Sequence, residues 1–210
     1  MERKIRKPTQ KRSLEKYNKI IDVAFKLFNE IGYYNTTTVD IAKEAEVATG
    51  SLYSYFEDKK DIYIQVLKRV NNNFLHPTKE FWMQNQKLDL QDVEKVKNIF
   101  KMFLELIMNC HNFTKLFHDD LTALELLDKD IARIKLENDT SRNENIRNIF
   151  KIIDIPFKNK DNEELFLHYT NLLIDDVCHK ILFDDKVKDT NLYLEKAVNM
   201  LYYLLKEVIL

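Results

Sequence analysis

The chain has 210 residues and a formal net charge of −1. Its length and its 45% of hydrophobic residues are enough for two helical domains, each with its own core. Its apolar runs are interrupted too often by charge to span a membrane, and no signal-peptide pattern precedes Leu14, so we expect a cytoplasmic protein without a membrane partner. Only 2 glycines and 3 prolines leave little material for hairpins, and long stretches show helical periodicity, so we predict an all-α fold.

Residues 1–12 form a basic segment that we predict to be a mobile arm. It contains six basic side chains, one acidic side chain and one proline, without apolar periodicity. Residues 1–70 as a whole carry 14 basic and 10 acidic side chains, whereas residues 71–210 carry 19 and 24, so positive charge is concentrated towards the N-terminus. The arm either contacts the minor groove or the phosphates of DNA, or it is a solvated tail, and the sequence leaves both roles open.

Residues 13–57 are predicted to form a domain of three helices. In the first helix, from Ser13 to Ile31, apolar residues recur at steps of three and four and give one buried face. Gly32 suits the end of this helix, and residues 33–35 are expected to form a loop.

Two short helices joined by a tight turn are predicted next. Thr37 and Asp40 stand three residues apart ahead of an apolar helical pattern, as in a capping box, so one helix begins near Thr37. The apolar spacing resets at Val47, and a second helix follows from about Thr49 to Phe56. Its outward face is small and polar, which suits a helix that lies in the major groove and contacts base edges and phosphates.

This stretch resembles the N-terminal domain of the TetR (tetracycline-repressor) family, most specifically in the run LYSYFEDK at residues 52–59. The resemblance covers about residues 14–70 and implies that residues 13–57 are a helix-turn-helix DNA-binding domain. It implies phosphate contacts from Tyr53, Tyr55 and Lys59, and base contacts from Thr49, Ser51 and Ser54. Core packing is the alternative role for the tyrosines, and it fits Tyr53 better than Tyr55. The full set of expected DNA-binding residues is Thr36, Thr37, Thr49, Gly50, Ser51, Tyr53, Ser54, Tyr55 and Lys59.

The sequence departs from the family pattern around the turn. Glu46 stands where the family often has a glycine, and Ala48 and Thr49 stand where it often has a serine and a lysine. The turn and the cap of the second short helix are therefore less ideal. Thr38 and Val39 replace a usual aliphatic and a usual charged residue, which puts base contacts from the first short helix in doubt.

The rest of the chain is described by periodicity alone. A connecting helix is predicted over residues 58–76, capped by Asp58 and ending before Pro77. Residues 77–210 are predicted to form a ligand-binding and dimerisation domain, which brings the chain to about nine helices. Its helices are expected at about residues 90–110, 114–127, 130–153 with a possible break at 137–145, 161–184 with Asp161 and Glu164 as a capping pair, and 189–208.

The helices at residues 161–184 and 189–208 are apolar around much of their girth, which exceeds what one core needs. In the TetR family two closing helices pair with their dyad mates as a four-helix bundle. We therefore predict a homodimer through these helices, with Leu172 or Leu201 as example interface positions. A deeply buried helical pair is the alternative.

Aromatic and methionine side chains are abundant in the predicted C-terminal domain and indicate an apolar cavity for a small effector. The effector is expected to be apolar or aromatic, and a cationic one is also allowed. Ordinary core packing is the alternative. His111, Asn112, His168 or Asn171 could be polar anchors. The expected lining residues are Trp82, Phe100, Phe103, Met108, His111, Phe113, Phe117, Phe150 and Tyr169.

Enzyme and metal chemistry find no support in the residue pattern. There is no recognisable nucleophile elbow and no glycine-rich loop, so we expect neither an enzyme nor a cofactor. The histidines lack the spacing of a metal site, and Cys110 and Cys178 are expected to be core thiols. We predict a one-component regulator, a repressor that leaves a palindromic DNA operator when the effector binds. The alternative is a helical carrier of a small molecule, haem or lipid, in which the N-terminal hairpin is only structural.

Overall fold

A computed structural model describes residues 8–209, and every regular element in that range is helical, which confirms the predicted all-α fold. An isolated antiparallel bridge joins Phe157 to Ile209. Within residues 8–209, ten helices form instead of about nine: α1 (Lys11–Glu30), α2 (Gly32–Asn35), α3 (Thr38–Glu44), α4 (Thr49–Tyr55), α5 (Lys59–Gln84), α6 (Val93–Cys110), α7 (Lys115–Leu127), α8 (Lys129–Ile152), α9 (Lys160–Phe183) and α10 (Thr190–Val208).

The expected basic arm lies largely outside the described residues. Of its basic side chains, only Lys11 and Arg12 are described, and both belong to the first turn of α1. The helix therefore begins two residues earlier than Ser13.

The chain divides into two compact units. The first contains the described residues up to Asn71 together with Phe113–Asn138, and the second contains Asn72–Asn112 together with the described residues from Asp139 onward. The second unit thus differs from the expected domain at 77–210, because α7 and the first half of α8 pack into the core of the first unit. Phe117 and Ile131 are fully buried in that core.

The first unit is built on an aromatic core. Phe28 and Tyr63 are both completely buried, with ring centroids 5.1 Å apart, and the Tyr63 ring also lies 4.9 Å from Tyr33 and 5.6 Å from Phe117. Each large apolar side chain buried in this way contributes about 1.5–3 kcal/mol. Helices as short as α2, α3 and α4 are unstable alone, so packing on this core fixes their positions.

Residues 33–35 form a single helical turn with Gly32, where the sequence predicted a loop. Gly32 follows the end of α1 as expected, with a φ of +82° in the left-handed region. The Tyr33 backbone N–H donates a 2.6 Å hydrogen bond to Asp120 Oδ2, and Thr36 Oγ1 donates a 2.7 Å bond to the Gly32 carbonyl. Hydrogen bonds therefore hold this helical turn at both ends, and the acceptor of the first bond, Asp120, lies 87 positions from Tyr33 in the sequence.

The prediction that the fourth helix ends before Pro77 is wrong. Helix α5 continues to Gln84 with Pro77 inside it. A proline in a helix interior costs about 3 kcal/mol through its missing N–H and ring clash. Beyond it, Trp82 is buried in the core of the second unit, and Thr78 Oγ1 donates to the Phe74 and Leu75 carbonyls at 2.9 and 3.0 Å. Packing of the last two turns offsets the cost of the proline.

The second unit is packed from α6, α9 and α10 with parts of α5 and α8. Helix α8 is continuous, so the polar run at 137–145 does not interrupt it. Asn159, rather than Asp161, caps α9 by accepting a 2.9 Å bond from the Asn162 N–H. Cys178 is fully buried, and burial raises the pKa of its thiol to about 12, with a smaller contribution from Asp175. Across the described range, no helix is both long and apolar enough to cross a bilayer.

Candidate functional site

Helix α3 begins with the capping box expected from the sequence. The Asp40 N–H donates to Thr37 Oγ1 at 3.1 Å, the Thr37 N–H donates to Asp40 Oδ2 at 3.0 Å, and the Thr37 hydroxyl donates to Asp40 Oδ2 at 2.6 Å. These bonds lower the pKa of Asp40, with the Thr37 hydroxyl as the largest cause. The Thr37 side chain is exposed, but its hydroxyl already donates one bond and accepts another.

The turn between α3 and α4 closes through a pair of backbone hydrogen bonds. The Glu46 N–H donates to the Lys43 carbonyl at 3.1 Å, and the Val47 N–H donates to the Ala42 carbonyl at 2.9 Å, which is the Schellman arrangement. Glu46 has a φ of +54°, the left-handed conformation that a glycine adopts without strain. Its carboxylate pairs with the Lys19 ammonium on α1, which lowers the pKa of Glu46. A cross-helix ion pair thus accompanies the non-glycine residue in this turn.

Helix α4, the expected recognition helix, has two distinct faces. Leu52 on α4 and Phe56 just beyond it are almost completely buried in the first core, as their four-residue spacing predicted. Thr49 and Gly50 are exposed at the start of the helix. Apart from the neighbouring backbone of its own helix, a Cβ at Gly50 would meet no atom of the described residues within 4 Å, so the backbone here is open to close approach by another molecule.

Two tyrosines attach the outward face of α4 to its neighbours, and both are half-buried. The Tyr53 hydroxyl lies 2.9 Å from Thr38 Oγ1 on α3, within hydrogen-bond distance. The Tyr55 ring packs edge to face on Tyr17 of α1, with centroids 6.2 Å apart. Thr38, which departs from the family pattern, therefore helps to position Tyr53, a role that the sequence did not reveal.

Lys59 and Thr36 occupy structural positions. Lys59 Nζ donates 2.8 Å bonds to the Tyr33 and Thr36 carbonyls and lies 4.3 Å from the centre of the Tyr33 ring. Burial lowers the pKa of Lys59, and Asp120 acts in the opposite direction. An ammonium has three donors, so one remains after these two bonds. Thr36 is 0% exposed, and therefore its side chain cannot reach DNA.

The two serines expected to face bases are half-buried. The Ser54 hydroxyl donates a 2.6 Å bond to the Ser51 carbonyl within α4. As a hydroxyl has one donor and two acceptor positions, Ser54 retains capacity only as an acceptor.

The second unit contains an apolar cavity of about 40 Å³. Its walls come from α5, α6, α8, α9, α10 and the segments after α5 and α8, and among its lining residues only Thr170 has a polar side chain other than the Trp82 indole. Four of the expected lining residues are present, namely Trp82, Phe100, Phe103 and Phe150. This volume is well below the roughly 300–1,000 Å³ of typical ligand pockets, so a ligand of ordinary size must widen the cavity.

The other expected lining residues lie elsewhere. Phe113 and Phe117 pack in the core of the first unit, and Tyr169 is exposed on α9. Met108 packs at the edge of the second core, and His111 Nδ1 lies 2.8 Å from the Ile107 carbonyl, but neither lines the cavity. His111, Asn112, His168 and Asn171, the suggested anchors, are also absent from its walls. None of the described residues that line it is acidic, so they offer no counter-ion to a cationic effector.

Comparison with known proteins matches the N-terminal region to a family of bacterial regulators. The family model "Bacterial regulatory proteins, tetR family" matches residues 20–66. The chain is 50% identical over 60 residues to the HTH-type transcriptional regulator HbdR of Aromatoleum sp. (strain CIB), a match that covers 29% of this chain and 26% of that protein. The matched part of HbdR is thus about a quarter of its length.

Two further relatives match over most of the chain. The fatty acid metabolism regulator protein of Bacillus subtilis (strain 168) is 30% identical over 144 residues, which are 69% of this chain and 67% of that protein. The negative transcriptional regulator IcaR of the Staphylococcus epidermidis biofilm operon icaADBC is 26% identical over 151 residues, which are 71% and 77% of the two chains.

The fold is also that of a known regulator structure. A crystal structure from Mesorhizobium loti MAFF303099, assigned to the TetR family, superposes with a TM-score of 0.75 at 15% identity and covers 94% of this chain and 98% of that chain. Regulators of this family bind DNA operators and act as dimers. Given the fold and the 30% identity with the Bacillus subtilis regulator over two thirds of that protein, the chain belongs to the TetR family and is a DNA-binding transcriptional regulator.

Proposed function

We propose that this regulator is a dimeric repressor that acts in the cytoplasm, binds a palindromic operator through α4, and leaves it when a small apolar molecule enters the cavity of the second unit. The observation that carries the DNA-binding part is the open start of α4. There Thr49 and Gly50 are exposed on a helix whose opposite face is locked into the core by Leu52. A rigid helix with short polar groups at its N-terminal end suits entry into the major groove.

The proposed DNA contacts follow from this orientation. Thr49 and Ser51 would contact base edges, with Ser54 as an acceptor, while the backbone at Gly50 allows close approach. Tyr53 and Tyr55 would contact phosphates. Thr37 is left out because its hydroxyl and its backbone N–H both donate to Asp40 and leave no donor for a phosphate. Lys59 would act mainly by holding the carbonyls of Tyr33 and Thr36, and its third N–H would donate to a phosphate. The side chain of Thr36 is left out because it is buried.

The proposed dimer interface uses α9 and α10, the helices expected at residues 161–184 and 189–208. On α9, Leu165, Tyr169 and Leu172 are exposed at positions i, i+4 and i+7, so they form one stripe. On α10, Met200 and Tyr203 are exposed in the same way. Exposed apolar stripes on two adjacent helices support pairing with a second copy.

The regulatory part of the proposal rests on the cavity and the relatives. IcaR is a negative regulator, which supports repression here. Trp82 brings α5 into the cavity wall, and the same helix begins at Lys59 in the first unit. A ligand that widens the cavity would favour a different α5 conformation. A coupling free energy of about 1–3 kcal/mol would weaken operator binding roughly 5–150-fold.

The test is selection of DNA from a random pool by the full-length protein. We expect enrichment of a palindrome whose half-site centres lie about 34–36 Å apart, one helical turn, or a multiple of it. Thr49→Ala should change the enriched sequence, whereas Thr190→Ala should not. Thr190 is the matched control because it is also an exposed threonine at the first position of its helix. Failure to enrich any sequence, or enrichment of an unrepeated half-site, would contradict the proposal.

A further inference from the structure

Thr170, in the middle of α9, is the unusual residue of the cavity wall. It is 9% exposed, and its Oγ1 atom is buried without a hydrogen-bond partner among the described residues. Three other threonines, in or directly after a helix, behave differently. Thr36, Thr78 and Thr122 each donate to the carbonyl four residues earlier, at 2.7, 2.9 and 3.0 Å. That local bond is the usual solution for a helical threonine, and Thr170 does not make it.

An unpartnered buried hydroxyl destabilises a fold, and a valine of the same shape would avoid that cost. A water molecule is a poor substitute partner, because a buried water typically needs two to four polar contacts. Nearly every other residue that lines the cavity is a hydrocarbon or aromatic side chain. The hydroxyl therefore fits a ligand that brings one polar group of its own.

The walls also restrict the charge of that ligand. In the part of the chain that the structure describes, no Asp, Glu, Lys, Arg or His lines the cavity. An ion moved from water into such surroundings without a partner would lose most of its solvation. A neutral molecule avoids this penalty, and the aromatic side chains of Trp82, Phe100 and Phe150 suit an apolar body.

We propose that Thr170 is the polar anchor of the effector site, and that the effector is a neutral, largely apolar molecule that carries a single hydrogen-bonding group. This rests on the proposed function, in which the cavity is the effector site. Thr170 lies on the same face of α9 as Phe166 and Ile174, which also line the cavity, while Leu165 and Leu172 of the proposed dimer stripe are exposed. The anchor would therefore act on a helix that also belongs to the proposed interface.

The test replaces a hydroxyl by a methyl group on the protein, on the ligand, and on both. Phenol and toluene, which differ by such an exchange, are titrated into the wild-type protein, Thr170→Val and Thr170→Ser by calorimetry. The ratio of the toluene Kd to the phenol Kd should fall roughly 3–10-fold in Thr170→Val, the value of one neutral hydrogen bond. It should stay close to wild type in Thr170→Ser, which keeps the hydroxyl.

Thr78→Val is the matched control. Thr78 is also buried in the second unit, but its hydroxyl is bonded to carbonyls and it does not line the cavity. The ratio should not change in this variant. Without ligand, Thr170→Val should raise the melting temperature by about 2–4 °C, and Thr78→Val should lower it.

Three results would overturn the assignment: a ratio that is the same in wild type and Thr170→Val, tighter binding of benzoate or benzylammonium than of phenol, or no binding of either neutral probe.

Operator titration in the presence of phenol separates the proposed Thr170 anchor from the proposed release of the operator. If phenol binds through Thr170 but leaves operator affinity unchanged, the anchor stands and the proposed release mechanism fails. If other compounds release the operator while the ratio is insensitive to Thr170, the mechanism stands and the anchor fails.

Discussion

Asp120 in α7 accepts a 2.6 Å hydrogen bond from the backbone N–H of Tyr33 in α2. The two residues approach closely because Gly32 has no side chain, since a Cβ there would lie 2.8 Å from Asp120 Oδ2. A second attachment lies nearby, where Thr114 donates from its N–H and its hydroxyl to Asn29 at 2.6 and 3.0 Å. Helix α7 is thus bonded to the segment that leads into α3 and α4 of the first unit.

Gly32→Ala should lower the free energy of unfolding by about 2 kcal/mol or more. The new Cβ would meet Asp120 and would have to adopt a φ of +82°. Gly50→Ala is the matched control, since beyond the backbone of its own helix its Cβ would meet no described atom within 4 Å. Helix propensity should make this variant more stable by about 0.5–1 kcal/mol. Urea denaturation of both variants measures the difference. Equal stability of the two variants would contradict the close approach of α7.

The left-handed turn residue Glu46 gives a second prediction. Glu46→Gly should raise the melting temperature by about 2–4 °C, because relief of backbone strain outweighs the loss of an exposed ion pair with Lys19. Glu46→Ala loses the same ion pair but keeps the strain, so its melting temperature should not rise. Differential scanning calorimetry distinguishes them. A lower melting temperature for Glu46→Gly than for Glu46→Ala would show that the positive φ of residue 46 does not destabilise the protein.

The expected roles of Tyr53 and Thr49 can be separated by DNA sequence. Tyr53→Phe should weaken binding to operator and to random DNA alike, because its hydroxyl would contact a phosphate and is positioned by Thr38. Thr49→Ala should instead change the preference among operator variants, by about 1–3 kcal/mol at one base pair. Fluorescence anisotropy titrations with a panel of duplexes measure both. If Thr49→Ala lowered the affinity for every duplex equally, Thr49 would not contact a base.

Leu172→Glu should convert the dimer into monomers that bind one half-site weakly. Leu172 is 55% exposed on the α9 stripe, so a charge there is tolerated in the monomer but not in an apolar interface. Leu126→Glu, at an 83% exposed position on α7, is the control and should stay dimeric. Sedimentation equilibrium reports the mass. Leu201, the other position named from the sequence, is 1% exposed, and a charge there would disrupt the core instead.

Local patterns in the sequence were sufficient to predict the start of α3 and the buried face of α4. The capping box of Thr37 and Asp40 and the buried spacing of Leu52 and Phe56 each involve residues three or four apart, so one turn of helix determines them. The start of α3 and the buried face of α4 could therefore be predicted without any knowledge of the rest of the chain.

Long-range contacts could not be obtained in this way. The bond from Tyr33 to Asp120 joins residues 87 positions apart, and it is one reason why residues 33–35 form a helical turn. Likewise, Phe113 and Phe117 resemble the other aromatics of the C-terminal part in sequence, but α7 packs into the first core and removes them from the cavity. A periodic pattern gives the buried face of a helix and not the partner that buries it.

The most direct test of the regulatory mechanism combines a thermal-shift screen of neutral hydrophobic compounds with operator titration in the presence of each compound that stabilises the protein. The account predicts that stabilising compounds weaken operator binding roughly 5–150-fold, because they favour a conformation in which two α4 helices no longer match the half-site spacing. Compounds that raise the melting temperature and leave operator affinity unchanged would contradict it.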